Sequence, residues 1–362
     1  MSTPVVAVNG RFLTMALSGV QRYAHEILRR LPGRMESRLV VLVPPDRILT
    51  GAAGLDDIVV TKRWHGLGGH RWEQLTLPRL ARRVGSDLLW SPCNWGPLAV
   101  RSQVPVVHDI APLTHAEYFT RAYAVLARVL MVPLLRRSRI VVTPSRSVRQ
   151  ELSEHTPGLA GRIEVIPPGV GPPFDSFPLD DLERRPGTYC VLVGAHDARK
   201  NVDFLLSLWP DVYERLGLEL HLTYRSLVTT RQVHDLEARR RPGVVVHADP
   251  SDADLARLYA DALCLVWPSH YEGYGFPLLE AMSVGTPFLA TDVGAAAELA
   301  VDPGRQILPL DPDRWRSRLE ELHAEDTTGL RRASAGKARA MTWDAAADAT
   351  ARLLDGLAAR RD

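Results

Sequence analysis

Glu272 and Glu280 stand eight positions apart in the run Ser269–Met282, separated by Gly273, Tyr274, Gly275, Phe276, Pro277, Leu278 and Leu279. Both carboxylates are acceptors suited to the hydroxyls of a sugar or a ribose. Gly273 and Gly275 permit positive φ and bring no Cβ, so a ligand can come close to the backbone. Pro277 suits a first helical position, where its missing N–H costs nothing. Leu278–Met282 then reads as a helix that stops near Gly285 and Pro287, with Glu280 on its first turn. The N–H groups of Leu278 and Leu279 at that helix start, with the helix dipole, would attract a phosphate oxygen. A loop-to-helix junction with an acidic first turn is the alternative reading.

Three further constellations follow apolar runs. Gly194-Ala195-His196-Asp197-Ala198-Arg199-Lys200-Asn201 follows Tyr189–Val193. Gly194 allows a tight turn, and Arg199 and Lys200 set a forked cation beside a point cation. Such a pair suits a diphosphate whose charge grows as its bond to a sugar breaks; a solvated basic turn is the alternative. His108-Asp109 follows Val104–Val107. A histidine there can exchange hydrogen bonds with a sugar hydroxyl, or it can be structural. Asn9-Gly10 and Ser18-Gly19-Val20-Gln21-Arg22-Tyr23 lie between the first apolar run and the first helical pattern. Ser18 suits a helix cap and Gly19 lets a ligand approach the helix start. Asp252-Ala253-Asp254 has an Asp-x-Asp form, but Ser251 before a helical pattern makes helix capping the better explanation than a metal.

The elements that would position these groups alternate. Val5–Val8, Leu39–Val43, Leu88–Trp90, Val104–Val107, Ile140–Val142 and Ile163–Ile166 read as buried strands with helical patterns between several of them. A second series follows at Tyr189–Val193, Leu218–Thr223, Val244–Val246, Leu263–Val266 and Phe288–Ala290. A stretch rich in proline and glycine separates the two series, from Pro167 to Gly187. The expected organisation is a first doubly wound domain over residues 1–173, a linker over 174–187 and a second domain over 188–341. A C-terminal helical segment, 342–362, completes it. Open sheets of this α/β class bind ligands beyond the carboxyl ends of their strands, where the motifs fall. With two such domains face to face, the cleft between them is the expected site. The loops Trp64–Trp72 and Asn94–Pro97 are expected to line it.

The totals narrow the class. The 362 residues suffice for two ordinary domains, and 46% hydrophobic content fits a soluble globular chain. No apolar run of about 18 residues occurs, and the run at Val5–Val8 is too short for a signal peptide. Cys93, Cys190 and Cys264 are widely spaced and form no metal-ligand pattern, which points to a reducing, cytoplasmic setting. Residues 1–173 hold 22 basic and 12 acidic side chains, a balance of +10; the rest holds 22 and 30, a balance of −8. A basic half and an acidic half suggest different partners. The arginine-rich apolar segment Arg121–Arg139 could lie on an anionic membrane surface or pack under a sheet, with Pro133 interrupting a continuous helix. Aromatics do not interleave with the basic residues, which argues against nucleic acid.

The Glu272–Glu280 run resembles the E-x7-E motif of family 4 glycosyltransferases, retaining enzymes of the GT-B fold. The likeness extends through Leu258–Ala262 and Trp267-Pro268-Ser269 upstream, and through Gly285-Thr286-Pro287 to Glu298 downstream. Gly19-Val20-Gln21-Arg22-Tyr23 also resembles sugar-transfer enzymes of surface-polysaccharide pathways, leaning toward mannosyl or rhamnosyl transfer in a bacterial glycoconjugate pathway. The resemblance implies a GT-B architecture whose last helix crosses back onto the first domain. It implies a sugar-nucleotide donor in the second half, as co-substrate rather than cofactor, and a glycan, lipid-linked or small-molecule acceptor in the first. Glu280 would hold the ribose. Glu272, with the amides of Gly275, Phe276, Leu278 and Leu279, would hold the sugar and phosphates. Arg199 and Lys200, after Gly194, would stabilise the departing diphosphate, doing the charge work without a metal. His108 would touch the donor sugar, and the loop of Gly19 would lie near the diphosphate and the acceptor. His196-Asp197 is less typical of the family. No clear nucleophile for a double displacement is evident, so same-face attack, with the leaving phosphate taking the acceptor's proton, is the expected route to retention. A sugar-nucleotide epimerase, a phosphorylase on the same fold, or a non-catalytic glycan-binding protein are the alternatives.

Overall fold

The computed structural model describes residues 3–44, 58–60, 69–179, 187–224 and 241–360. Residues 64–68 of the loop Trp64–Trp72 lie outside these, as do residues 180–186 of the expected linker. The chain forms two compact units, Met1–Gly169 with Trp343–Asp362, and Val170–Thr342.

Among the described residues each unit is built on a five-stranded parallel sheet, and the two sheets share one strand order. The first unit contains β1 (Val5–Asn9), β2 (Arg38–Val43), β3 (Ile58–Val60), β4 (Leu88–Ser91) and β5 (Gln103–Pro105), arranged β3-β2-β1-β4-β5. It also holds β6 (Val141–Thr143) and β7 (Ile163–Val165), a separate parallel pair. The second unit contains β8 (Tyr189–Val193), β9 (Glu219–Tyr224), β10 (Val244–Ala248), β11 (Cys264–Trp267) and β12 (Phe288–Ala290), arranged β10-β9-β8-β11-β12. The order reverses direction between β1 and β4 and between β8 and β11. At such a switch point two neighbouring strands send their following loops to opposite faces of the sheet and leave a crevice.

The expected α/β class and doubly wound sheets are what forms. Near-continuous runs of valine and leucine are buried in β1, β2, β4, β8 and β11, as strands covered on both faces require. The apolar run at 140–142 joins the larger sheet only through a single bridge, Val106 to Val142, so the first series is not one six-stranded sheet. Val170 bridges to Thr342, and Phe174 is buried in the second unit's core. The first unit therefore ends at Gly169 rather than at Pro173.

One helix differs from expectation for a local reason. Arg121–Arg137 is one helix with Pro133 inside it. The carbonyl that proline leaves without an intrahelical donor belongs to Val129, which is 58% exposed, so the loss falls on the solvent side. Ala127, Met131 and Leu135 of that helix are buried in an apolar cluster, while Val125 and Val129 face out. The last helix, Trp343–Ala358, belongs to the first unit. Its Asp344 and Asp348 pair with Arg34 at 2.5 and 2.9 Å, and its Asp355 carboxylate accepts the N–H groups of Glu36 and Ser37. Among the described residues no helix is long and apolar enough to cross a membrane.

Candidate active site

β8 and β11 are adjacent and parallel, with Cys190 opposite Cys264, so the loops that follow them emerge side by side. After β8, Gly194 turns the chain at φ +79°, and its N–H and that of Ala195 both donate to the Thr223 carbonyl. A short 3₁₀ turn, Ala198–Lys200, follows, and Asn201 in the left-handed region starts the helix Val202–Leu216. The two loops are stitched together where the His270 N–H donates to the Arg199 carbonyl at 2.8 Å.

This pairing brings Lys200 and Glu272 into contact. The Lys200 Nζ lies 2.5 Å from the Glu272 Oε1 and 3.8 Å from the centre of the Trp267 ring. Their side chains are only 12% and 10% exposed. Burial pulls the Lys200 ammonium below the ordinary lysine value, and Glu272 opposes that pull. Arg199 is held by Asp197, through the Arg199 Nη2 at 2.6 Å and Nε at 3.0 Å. Burial would raise the Asp197 carboxyl, but the guanidinium outweighs it and holds the group below its usual value. Each expected phosphate-binding cation thus rests against a carboxylate of its own unit. Burial shifts the His196 imidazole below its ordinary value, and Asp197 opposes that shift. Among the described residues the buried Ser269 hydroxyl, Trp267 indole N–H and His196 Nδ1 have no partner within hydrogen-bond distance.

The loop carrying Glu272 is fixed from below. Thr291 donates its hydroxyl to the Ser269 carbonyl at 2.6 Å, and the Ala295 N–H donates to the Tyr274 carbonyl at 3.0 Å. Gly294, at φ +56°, lies so close that an added Cβ would sit 2.8 Å from the Glu272 Cβ. Gly275, at φ +95°, caps the helix Phe276–Ser283. The left-handed cap lets that helix begin at Phe276, one residue before Pro277, so Glu280 falls on the second turn rather than the first. The Leu278 N–H expected to face a phosphate instead donates to the Gly275 carbonyl at 3.0 Å, and the Leu278 and Leu279 side chains are buried in the core. Glu280 is half-buried. The helix closes with Gly285 and Thr286 donating back to Met282 and Ala281, a Schellman arrangement.

His108 sits on the first unit and is 5% exposed. Its Nε2 is 2.8 Å from the Pro92 carbonyl, its backbone N–H donates to the Asn94 side chain, and Tyr23 meets its ring edge-on. Burial lowers its pKa to about 4, so it is neutral at pH 7 and Nε2 carries the proton donated to Pro92. Gly19 is the first residue of the helix Gly19–Leu28. Ser18 occupies the cap position, but its hydroxyl bonds the Gln21 side chain and makes no cap bond to the backbone. Ser251 and Asp254 form a reciprocal capping box at the helix Asp252–Asp261, the capping role the sequence suggested.

One cluster carries no sequence signal strong enough to be singled out. A π-helical turn, Trp72–Thr76, presents Glu73, which is 2% exposed. Its Oε2 lies 2.8 Å from the Arg11 Nη1 and 3.2 Å from the His70 Nδ1, and its Oε1 accepts from the Asn9 Nδ2 at 2.7 Å. These groups line a cavity of about 280 Å³ beyond the ends of β1 and β4, together with Asn94 and Trp95 of the loop expected to line a cleft. Trp72, from the other expected cleft loop, is instead buried in the first unit's core. The Asn9–Arg11 segment directly after the first strand was the one available hint; a lone glutamate on a helical run gives none.

Residues 17–172 match the description "Glycosyltransferase Family 4", and residues 187–325 match "Glycosyl transferases group 1". The chain is 27% identical over 228 residues to the O-antigen chain mannosyltransferase RfbU of Salmonella typhimurium, a stretch covering 62% of this chain and 61% of that protein. It is 26% identical over 349 residues to the O-antigen chain mannosyltransferase B of Escherichia coli, covering 86% of this chain and 88% of that one. The sucrose-phosphate synthase of Thermosynechococcus elongatus superposes with a TM-score of 0.73 at 17% identity, over 99% of this chain and 100% of that one, and so shares the fold. Two family descriptions that between them take in most of the chain, on paired doubly wound sheets of identical strand order, identify it as a member of the family 4 glycosyltransferases of the GT-B fold.

Proposed function

We propose that the protein transfers a hexose, with retention and without a metal, from a nucleoside-diphosphate sugar to a saccharide acceptor in a surface-polysaccharide or glycoconjugate pathway. The observation that carries this reading is the Lys200–Glu272 pair over Trp267 at the switch point of the second unit. Its cation and carboxylate match the two ends of an activated sugar: an anionic diphosphate and a ring of hydroxyls. Donor binding exchanges partners. The Lys200 ammonium moves from Glu272 to a diphosphate oxygen, and Glu272 turns to a sugar hydroxyl. Arg199 adds a second cation beside the same phosphates, and Glu280 accepts from the ribose.

The leaving group gains negative charge as the anomeric bond lengthens, and a cation buried beside it is worth more there than in water. The acceptor hydroxyl attacks from the face the diphosphate leaves, and a diphosphate oxygen takes its proton. In this scheme Lys200 and Arg199 carry the charge stabilisation. The mannosyltransferase relatives favour mannose as the sugar moved. A cytoplasmic enzyme with a basic first unit would meet a lipid-linked acceptor at the membrane face.

A thermal-shift panel of GDP-mannose, UDP-glucose, dTDP-rhamnose and the free diphosphates tests the donor. A donor at 100 times its Kd adds about 2.7 kcal/mol of stability. The selected donor should be consumed only when a saccharide acceptor is present, and NMR of the product should show the donor's anomeric configuration. Conversion of donor without acceptor would indicate an epimerase, and dependence on free phosphate a phosphorylase. Stabilisation by no nucleotide would refute the donor site.

A further inference from the structure

The second unit carries a histidine pair that the transfer chemistry does not use. His221 on β9 stands opposite Val245 on β10, and His247 lies two residues further along, so both imidazoles project from one face of the sheet. The His247 Nε2 is 3.1 Å from the His221 Nδ1. We propose that these two nitrogens form a site for one divalent transition-metal ion of the zinc or copper kind, which ties the edge strand β10 to β9.

Spacing is the first observation. Two imidazoles that ligate one ion at about 2.05 Å, with about 100° between them, hold their nitrogens about 3.1 Å and their ring centres about 4.8 Å apart. The ring centres of His221 and His247 are 4.9 Å apart. A head-on hydrogen bond at the same nitrogen separation would put them about 5.4 Å apart. The pair therefore already has the spacing of a chelate. The second observation is the tautomer. The His221 Nε2 lies 3.1 Å from the Glu219 Oε2, and a carboxylate can only accept there. The proton is thus on Nε2, and the Nδ1 lone pair faces His247. A carboxylate that fixes the far nitrogen of a histidine is the usual outer partner of a metal ligand. The third is rigidity. Tyr189 stacks flat on the His221 ring, with centres 3.9 Å apart and planes 5° from parallel, and its own hydroxyl donates to the Leu258 carbonyl at 2.9 Å.

Access and charge fit a cation. His247 opens on a cavity of about 580 Å³ beside the helix Asp252–Asp261. Asp249, Asp254 and Asp261 line that cavity against one arginine, Arg257, which Asp254 meets at 3.3 Å. Burial, and then the neighbouring His221, push the His247 imidazolium below its ordinary value, which favours the neutral ring a metal needs. On ligation His247 carries its proton on Nδ1 and frees Nε2 for the ion, with no net proton released. Among the described residues no third histidine, cysteine, aspartate or glutamate converges on the pair, so water completes the coordination. Imidazole ligands select zinc, copper or nickel over magnesium and calcium, which prefer oxygen.

The test uses the full, untagged chain, stripped of metal with EDTA and dialysed at neutral pH. Pulsed EPR of one equivalent of Cu²⁺ should report two equatorial imidazoles. Excess Zn²⁺ should displace the copper and raise Tm, and Mg²⁺ should do neither. His247→Gln should remove the two-imidazole spectrum and weaken Cu²⁺ binding at least about tenfold. Glu219→Gln is the second variant, because its side chain is 42% exposed and both ligands remain. It should keep the two-imidazole spectrum while weakening binding about tenfold. One imidazole or none in the parent, a two-imidazole spectrum that survives in His247→Gln, displacement of copper by Mg²⁺, or parent-like affinity in Glu219→Gln would each overturn the proposal. None of these readouts depends on a donor or an acceptor, so the outcome is independent of the transferase reading.

Discussion

Each switch point pairs a cation with a buried carboxylate near an indole, Lys200 with Glu272 by Trp267 and Arg11 with Glu73 by Trp95, and the two hold them differently. In the second unit Glu272 has one ion-pair partner, a lysine on a flexible stem lying over Trp267. In the first unit Glu73 is gripped by Asn9, Arg11 and His70 together, and the cation is the planar fork of arginine. A lysine that makes one short contact can pass to a phosphate by rotating its stem. Arg11 meets both Glu73 and His70 through one planar fork, so it must break more than one contact at once to leave. The second site can therefore present positive charge on demand, whereas the first stays neutral. The difference separates a cluster that can release a cation from one that keeps its charges paired.

The sharpest way to break this contrast is Lys200→Ala. With the donor chosen by the thermal-shift panel, kcat should fall by about 10²–10³, the effect of removing one preorganised charge from a transition state. Acceptor KM should stay within about threefold, because the first unit is untouched. A kcat within threefold of the parent would mean that the lysine never leaves Glu272 during turnover.

Gly294→Ala comes next and tests whether the position of Glu272 matters. The residue sits at φ +56°, and a Cβ would meet the Glu272 Cβ at 2.8 Å and the Tyr274 carbonyl at 3.1 Å. Left-handed backbone and overpacking together cost roughly 2–4 kcal/mol. Part appears as a lower Tm and part as a displaced carboxylate, so donor affinity should fall at least about tenfold. Loss of stability with unchanged donor affinity would show Glu272 to be a counter-ion alone.

His108 tests the first unit by pH. Its folded value of about 4 lies below the ordinary histidine value because burial penalises the imidazolium. Between those values the unfolded chain binds more protons than the folded one. Stability from this group is therefore complete above about pH 6.5 and is lost as pH falls toward 4, by an amount on the order of a few kcal/mol. Denaturant titrations at pH 7 and pH 4.5 should show the loss, and His108→Asn should remove much of that slope. An identical slope in the variant would place the titrating group elsewhere.

The sequence was most legible where chemistry and geometry fall in one short segment. Glycine and paired cations directly after Tyr189–Val193 identify a strand-end loop, and the doubly wound class follows from the alternation itself. The contact between Lys200 and Glu272 spans 72 residues and exists only because β8 and β11 are neighbours, a matter of strand order that no local pattern encodes. Glu73 was invisible for the same reason: its partners Asn9 and Arg11 lie more than 60 residues away. β3, only three residues long at Ile58–Val60, is too short for periodicity to declare. The helix around Pro133 survives because tertiary packing of Met131 and Leu135 outweighs one missing hydrogen bond on a wet face.

Ser251→Ala gives the smallest effect and guards the comparison against a false third member. Asp252 and Asp254 are carboxylates on the second unit in a spacing that suggests a metal, and a metal there would undo the claim that Lys200 and Arg199 carry the charge. The Ser251 hydroxyl accepts the Asp254 N–H at 3.1 Å, and Asp254 reaches back to the Ser251 backbone, which is a helix cap complete in itself. Losing one such cap should lower Tm by roughly 2–4 °C. Because the cap holds only the helix Asp252–Asp261, kcat and donor affinity should not change, and addition of EDTA should affect parent and variant alike by nothing measurable. A variant that lost activity at unchanged Tm would move those aspartates into the chemistry, and the neutral-versus-switchable contrast between the two strand-end clusters would no longer explain how the leaving group is stabilised.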